Sequence, residues 1–219
     1  TLISAEHVAT GGEPLNLKEF IGSLDVPVIA GGVADYTTAI HLMRTGAAGV
    51  IVGGGVNTNP ATVAIDVPLA TAIADVAAAR RDYLDETGGR YVHILADDRL
   101  DSSADIVKSI ACGADAVVLG PLLAQAAEAG GQGFYWPSAA GHPRYPRGII
   151  EYAGVLPGDL DADYAGGNTP AAPSLETVLH GPSNEPFGQL NLVGGLRRAL
   201  AKCGYTDLKS FQKVGLAVR

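Results

Sequence analysis

Several residue types are scarce in this chain of 219 residues, which has two cysteines, one methionine, one tryptophan and four phenylalanines. Cys112 and Cys203 have neither metal-ligand nor disulfide spacing. That excludes a disulfide-stapled scaffold and a zinc module, and it fits a reducing cytoplasm. No metal site is expected. Charge is sparse too, at 17% of residues, with 15 basic against 23 acidic groups and a formal net charge of −8. No cluster of Lys and Arg stands out, which argues against nucleic acid or an anionic membrane as the main partner. No signal peptide is expected, and these residues contain no apolar run long enough to span a bilayer. The chain opens on Thr1-Leu-Ile-Ser, the wording of a strand already under way, so a fragment or the C-terminal part of a longer protein is expected.

Aliphatic residues and glycine are abundant: 47% of the chain is hydrophobic and 29 residues are glycine. That is enough apolar material for one domain with a sizeable core. The glycines punctuate an internal repeat. The first copy runs Val26-Pro-Val-Ile-Ala-Gly-Gly32, a polar turn, a helical stretch at 38–45, then Gly46-Ala-Ala-Gly-Val-Ile-Val-Gly53. The second runs Val92-His-Ile-Leu-Ala-Asp-Asp98-Arg99, then Ser102-Ser103, a helical stretch at 104–112, and Gly113-Ala-Asp-Ala-Val-Val-Leu-Gly120. Gly46 maps on Gly113, Val50 on Val117 and Gly53 on Gly120, an offset that also sets Asp98-Arg99 against Gly31-Gly32. Each copy reads as strand, turn, helix, glycine stop and strand. Such units give parallel strands with right-handed crossovers and ligand sites at the strands' C-terminal ends. Gly32, Gly53, Asp97 and Gly120 fall there. Strands are expected at 26–30, 49–52, 91–96 and 116–119, parallel neighbours in that order.

Around the repeat, Asn16 with Glu19 reads as a capping box, and Leu17, Phe20, Ile21 and Leu24 make one apolar face. Residues 68–84 form an Ala-rich helix broken by Gly88-Gly89, and Ser103 is a candidate N-cap. Stretches 130–147 and 159–173 are too rich in Gly, Pro and Asp for packed elements. A loop of that length is either a lid or a surface excursion. Helices return at 192–203 and around 207–211. An eight-stranded (β/α) barrel takes about 250 residues, so four strands amount to roughly the C-terminal half of a TIM-type barrel. Residues 1–129 would be the half barrel, and 130–219 its flap-like loops and C-terminal helices. A half barrel leaves two sheet edges and one face bare, so it should be weakly stable alone or should pair, as a homo-oligomer or with a missing N-terminal half barrel.

With these elements placed, the wording resembles the C-terminal half of the IMP dehydrogenase/GMP reductase family, in particular its actinobacterial IMP dehydrogenase-related oxidoreductases. The stretches that carry the resemblance include Thr38-Ala-Ile-His-Leu-Met-Arg-Thr-Gly46, Ala79-Arg-Arg-Asp-Tyr-Leu-Asp-Glu-Thr-Gly88, Ile110-Ala-Cys-Gly-Ala-Asp-Ala-Val-Val-Leu-Gly120, Phe134-Tyr-Trp-Pro137, Gly181-Pro-Ser183 and Asn191-Leu-Val-Gly-Gly-Leu-Arg197. The resemblance implies a cytoplasmic oxidoreductase that transfers hydride between IMP or GMP and NAD or NADP at a barrel mouth. Gly53 and Gly55 match glycines that let the nicotinamide carboxamide approach, although three consecutive glycines also make an ordinary flexible turn. Thr58 matches a hydroxyl residue near the nucleotide phosphate, Asp97 the carboxylate that accepts from the ribose diol, and Gly120 a phosphate-loop glycine.

The chain departs from the family pattern at three places. Pro60 stands at the position of the cysteine nucleophile, whose task requires a thiolate. Asp98-Arg99 replaces a Gly-Gly pair that holds phosphate through backbone N–H groups. Pro121 stands where serine is common and removes one N–H donor. The alternative to an oxidoreductase is therefore a nucleotide-binding or assembly protein without catalysis on the same scaffold.

Overall fold

The computed structural model describes residues 15–53, 68–98, 100–136, 150–153 and 171–217. Its centre is a four-stranded sheet of β1 (Ile29–Val33), β2 (Gly49–Val52), β3 (His93–Ala96) and β4 (Ala116–Val117), in that order. All three pairings are parallel, as expected from the repeat. The helices are α1 (Leu17–Gly22), α2 (Tyr36–Arg44), α3 (Leu69–Glu86), α4 (Ser103–Ala111), α5 (Pro121–Ala124), α6 (Leu175–His180), α7 (Leu192–Lys202) and α8 (Leu208–Phe211).

Local chemistry explains the helix ends. Asp35 caps α2 by accepting from the Thr38 N–H at 2.9 Å and the Thr38 hydroxyl at 2.8 Å. Gly46 follows α2 and Gly113 follows α4 with φ of 101° and 119°, the conformation in which glycine ends a helix without a Cβ clash. The N-cap of α4 is Ser102, one residue before the expected Ser103, and its hydroxyl donates to Asp105 at 2.8 Å. Asn16 caps α1 through the Glu19 N–H, as the capping-box wording implies.

The helices cover one face of the sheet. Ala30, Val33, Val50, Val52, Ile94 and Ala96 point into a core shared with Ala39, Met43, Ile73, Val76, Ile106 and Ile110. Val178, Leu192, Leu200 and Phe211, from α6, α7 and α8, join the same core. The opposite face, which a closed barrel would bury, carries exposed Ile29 and half-buried Ile51 and Leu95. No residue of α1 is buried, and Phe20 and Leu24 of its apolar face are exposed.

Two expectations need correction. The first strand lies at Ile29–Val33 and not at 26–30, because pairing with β2 carries it through Gly31 to a bulge before Val33. The stretch beyond Gly130 does contain packed backbone: β5 (Phe134–Tyr135) pairs antiparallel with β6 (Glu151–Tyr152). Aromatic residues pack across the pair, with the Phe134 and Tyr152 rings 4.9 Å apart.

The register also revises the repeat. The helices and second strands keep the sequence offset, but the first strands do not. Gly31 is level with Ile51, and Ile51 with Leu95, so Asp98 comes after its strand has ended. Only Ala34 and Asp35 separate β1 from α2, whereas residues 97–102 separate β3 from α4. The second copy uses its extra length to build a longer loop at the mouth, and Asp97 and Asp98 sit on it.

Candidate functional site at the strand ends

The backbone ladder continues one step past the strands. The N–H groups of Gly53, Asp97 and Val118 donate to the carbonyls of Val33, Val52 and Ala96, each at 2.8 Å. The segments are so close here that glycine is required at Gly53, whose φ is 115° and where a Cβ would collide with the Asp97 carbonyl oxygen. A Cβ on Gly120 would lie 2.5 Å from Cζ of Tyr135, so that ring would have to shift to admit it.

Asp97 follows β3 directly and is half-buried. Burial lifts its carboxyl above the ordinary carboxylate value, and the Asp98 charge adds to the lift. Among the described residues no side chain donates a hydrogen bond to it. A strand-end carboxylate with unused acceptor positions is suited to a ligand that brings its own donors, such as a vicinal diol. Asp98 borders the cleft between the starts of α3 and α4, beside Leu69, Asp105 and Lys108.

The structure adds two residues to this region to which sequence reasoning gave no role. The Tyr135 ring rests on Gly120, and its phenol is pushed up first by burial and then by the Asp97 and Glu151 charges. Glu151 faces Tyr135 across the β5–β6 pair. Tyr135 belongs to Phe134-Tyr-Trp-Pro137, a stretch that carries the family wording, but no spacing rule connects it to Gly120. Pro121 opens α5, as the fixed φ of proline favours at a first helical position. Gly55, Thr58, Pro60 and Arg99 lie outside the described residues.

Cys112 is no substitute nucleophile. It caps the C-terminus of α4, at the opposite end of the sheet, and burial pushes its thiol up, the wrong direction for a reactive thiolate. No helix among the described residues is long and apolar enough to cross a membrane.

The model of the IMP dehydrogenase / GMP reductase domain matches residues 14–219. The chain belongs to this family. A crystal structure of an IMP dehydrogenase/GMP reductase-like protein from Corynebacterium glutamicum superposes with a TM-score of 0.84 at 65% identity, covering 100% of this chain and 53% of the other. An uncharacterized oxidoreductase of Mycolicibacterium smegmatis is 63% identical over all of this chain and 56% of its own length. The inosine-5′-monophosphate dehydrogenase of Methanocaldococcus jannaschii is 32% identical over 90% of this chain and 40% of its own. The chain thus spans about half the length of these relatives. The open parallel sheet, with helices on one face and Ile51 and Leu95 on the other, is consistent with the fold of the Corynebacterium glutamicum neighbour.

Proposed function

We propose that the chain supplies the ribose-holding side of a nicotinamide-dependent oxidoreductase barrel of the IMP dehydrogenase/GMP reductase kind, with IMP or GMP as the purine ligand class and NAD or NADP as cofactor. The observation that carries this is Asp97, a half-buried carboxylate at the strand ends that receives no hydrogen bond from any described side chain. Such a group is costly to desolvate, and a ligand that brings its own donors would satisfy it. Support for NAD or NADP comes from family membership, in which the cofactor takes up or gives hydride. The described part of its expected site is Gly53 alone, and the space left by the missing Cβ is already filled by Asp97. No step of the chemistry is therefore derived through the cofactor.

Pro60 favours a second reading, binding without turnover. A thiolate nucleophile is worth more than the roughly 10²–10⁴-fold contributed by an acid–base group, and proline offers none. The expected outcome is that the 219-residue chain produces no absorbance change at 340 nm with IMP and NAD or NADP, nor with GMP and NADPH. Turnover at ordinary enzyme rates would establish the oxidoreductase and refute the binding-only reading. The same pairing needs are expected to make the assembled protein oligomeric or completed by a second half barrel, which sedimentation would report.

A further inference from the structure

We infer that Tyr135 is a phosphate-anchoring residue of this mouth: its phenol hydroxyl, laid over Gly120, replaces the donor that Pro121 removes from the turn and fixes the 5′-phosphate of a purine nucleotide. The inference rests on the reading of this mouth as a purine-nucleotide site and adds a residue to it. Two observations carry it, the place of the hydroxyl and its freedom to donate.

The first concerns the turn after β4. A phosphate held by backbone needs N–H groups that converge on one spot. Pro121 has no N–H to give, and it directly follows Gly120. Tyr135 reaches the same turn from β5, with its hydroxyl oxygen 2.7 Å from where a Cβ on Gly120 would stand. The missing Cβ is what lets the phenol come so near. The pairing of β5 with β6, Tyr135 to Glu151 and Phe134 to Tyr152, fixes the strand from which the ring projects. A donor lost from the backbone at 121 is thereby matched by one brought to the same turn from a distant segment.

The second concerns hydrogen bonding. Among the described residues nothing is hydrogen-bonded to the Tyr135 hydroxyl, and no backbone carbonyl accepts from the Gly120 N–H. The ring is half-buried, and an unpartnered donor in such a setting suits a ligand that brings acceptors. Burial first, and then the Asp97 and Glu151 charges, push the phenol up, so it keeps its proton near neutrality. A hydrogen bond from it to a phosphate oxygen is charge-assisted, roughly twice as strong as a neutral one. Asp97 lies near enough to act on the same phenol. One nucleotide can therefore meet both groups, because its diol and its phosphate leave the sugar at opposite ends. The 2′- and 3′-hydroxyls donate to Asp97, and the phosphate oxygens accept from Tyr135 and Gly120.

The test is a calorimetric titration of the 219-residue chain with IMP and, as the same ligand without the phosphate, with inosine. Tyr135→Phe keeps the ring on Gly120 and removes only the hydroxyl. It should weaken IMP about tenfold to a hundredfold, the worth of one hydrogen bond to a charged group. Inosine should stay within about twofold of its original affinity. Adding Pro121→Ser to that variant returns an N–H and a hydroxyl to the turn. It should recover most of the lost IMP affinity, a rescue that a purely structural role of Tyr135 would not give. IMP binding as tightly to Tyr135→Phe as to the unaltered chain overturns the inference. So does an equal loss for both ligands, which would put the hydroxyl on the sugar, and so does a loss that Pro121→Ser does not repair. Asp97→Asn tests the ribose reading separately, since it should weaken IMP and inosine alike. If it changes neither while Tyr135→Phe still weakens IMP, the ribose reading falls and the phosphate donor stands. Binding of neither ligand to the unaltered chain overturns both.

Discussion

Two aspartates stand at opposite ends of the sheet and show how differently one side chain is treated by one fold. Asp115 lies just before β4, and its side chain is 9% exposed. It accepts from Arg80 at 2.7 Å, Lys209 at 2.6 Å, Tyr91 at 2.6 Å and the Ile94 N–H at 2.9 Å. Burial pushes its carboxyl up, but the Lys209, Tyr91 and Ile94 hydrogen bonds and the Arg80 charge outweigh it and bring it down to about 2. Both cations also sit over the Tyr91 ring, Arg80 at 5.0 Å and Lys209 at 4.3 Å from its centre, and Lys209 hydrogen-bonds the Tyr91 hydroxyl as well. Asp97, after β3, is also partly buried, but its carboxyl moves up, from burial and then Asp98. The first carboxylate ties α3, β3, β4 and α8 together. The second is left short of partners at the end where family members bind ligands. The difference teaches that burial alone does not mark a site; burial without compensation does.

The largest effect should come from breaking the compensated end. Asp115→Ala leaves Arg80, whose side chain is only 12% exposed, without its carboxylate. Removing one partner of a buried pair costs about 3–5 kcal/mol, a large share of the stability of any domain and more so of a sheet with one bare face. Urea unfolding followed by circular dichroism checks this. A loss below about 1 kcal/mol, the range of exposed pairs, would mean that Asp115 is no clamp.

Acid should undo the same contact. A carboxylate whose folded value lies below its unfolded one adds stability that is complete above the unfolded value and is lost as pH falls through the folded value. For Asp115 that window runs from the ordinary carboxylate range down to about 2, and the loss across it is about 2 kcal/mol. Comparing denaturation of the unaltered chain with Asp115→Asn over that range should show a steeper decline for the former. Parallel curves would break the comparison.

Lys209→Met sharpens it. The Lys209 side chain is 62% exposed, so its loss should cost only about 0.2–1 kcal/mol, while proteolysis at the C-terminal end accelerates because α8 loses its tie. The smallest effect is expected at the uncompensated end. A carboxyl raised by folding is a burden that grows as pH rises through its unfolded and folded values and is absent below both. Asp97→Asn should therefore leave the unfolding midpoint unchanged or slightly higher near neutrality while weakening IMP or GMP binding. A clear loss of stability would show Asp97 to be a structural residue after all.

Much of this was legible beforehand, for identifiable reasons. Each βαβ copy carries its signals locally: a β-branched run, an N-cap, an apolar helix face and a glycine at positive φ after the helix. Strand order and parallel pairing follow from short crossovers of fixed hand. Asp97 was a candidate because it directly follows a parallel strand, the end at which such sheets place ligand sites. The register of β1 was misplaced because Gly31 and Gly32 look like a turn until the β2 edge pairs with them. The β5–β6 pair was missed because its two strands are two residues each and β5 lies in a segment full of breakers.

The sequence by itself determined the repeating architecture, the parallel sheet, the direction in which its strands end and the family to which the chain belongs, since all of these are written in patterns shorter than about one βαβ unit. Only the tertiary structure decided the rest. It set the Tyr135 ring against Gly120, a contact between two residues that no pattern in the sequence joins. It brought Lys209 to Asp115 across 94 residues, so that one aspartate became a clamp while the other stayed open. The physical reason is the same in both cases: which groups satisfy a buried charge or fill a missing Cβ is settled by close packing between distant segments, and no periodicity along the chain records it.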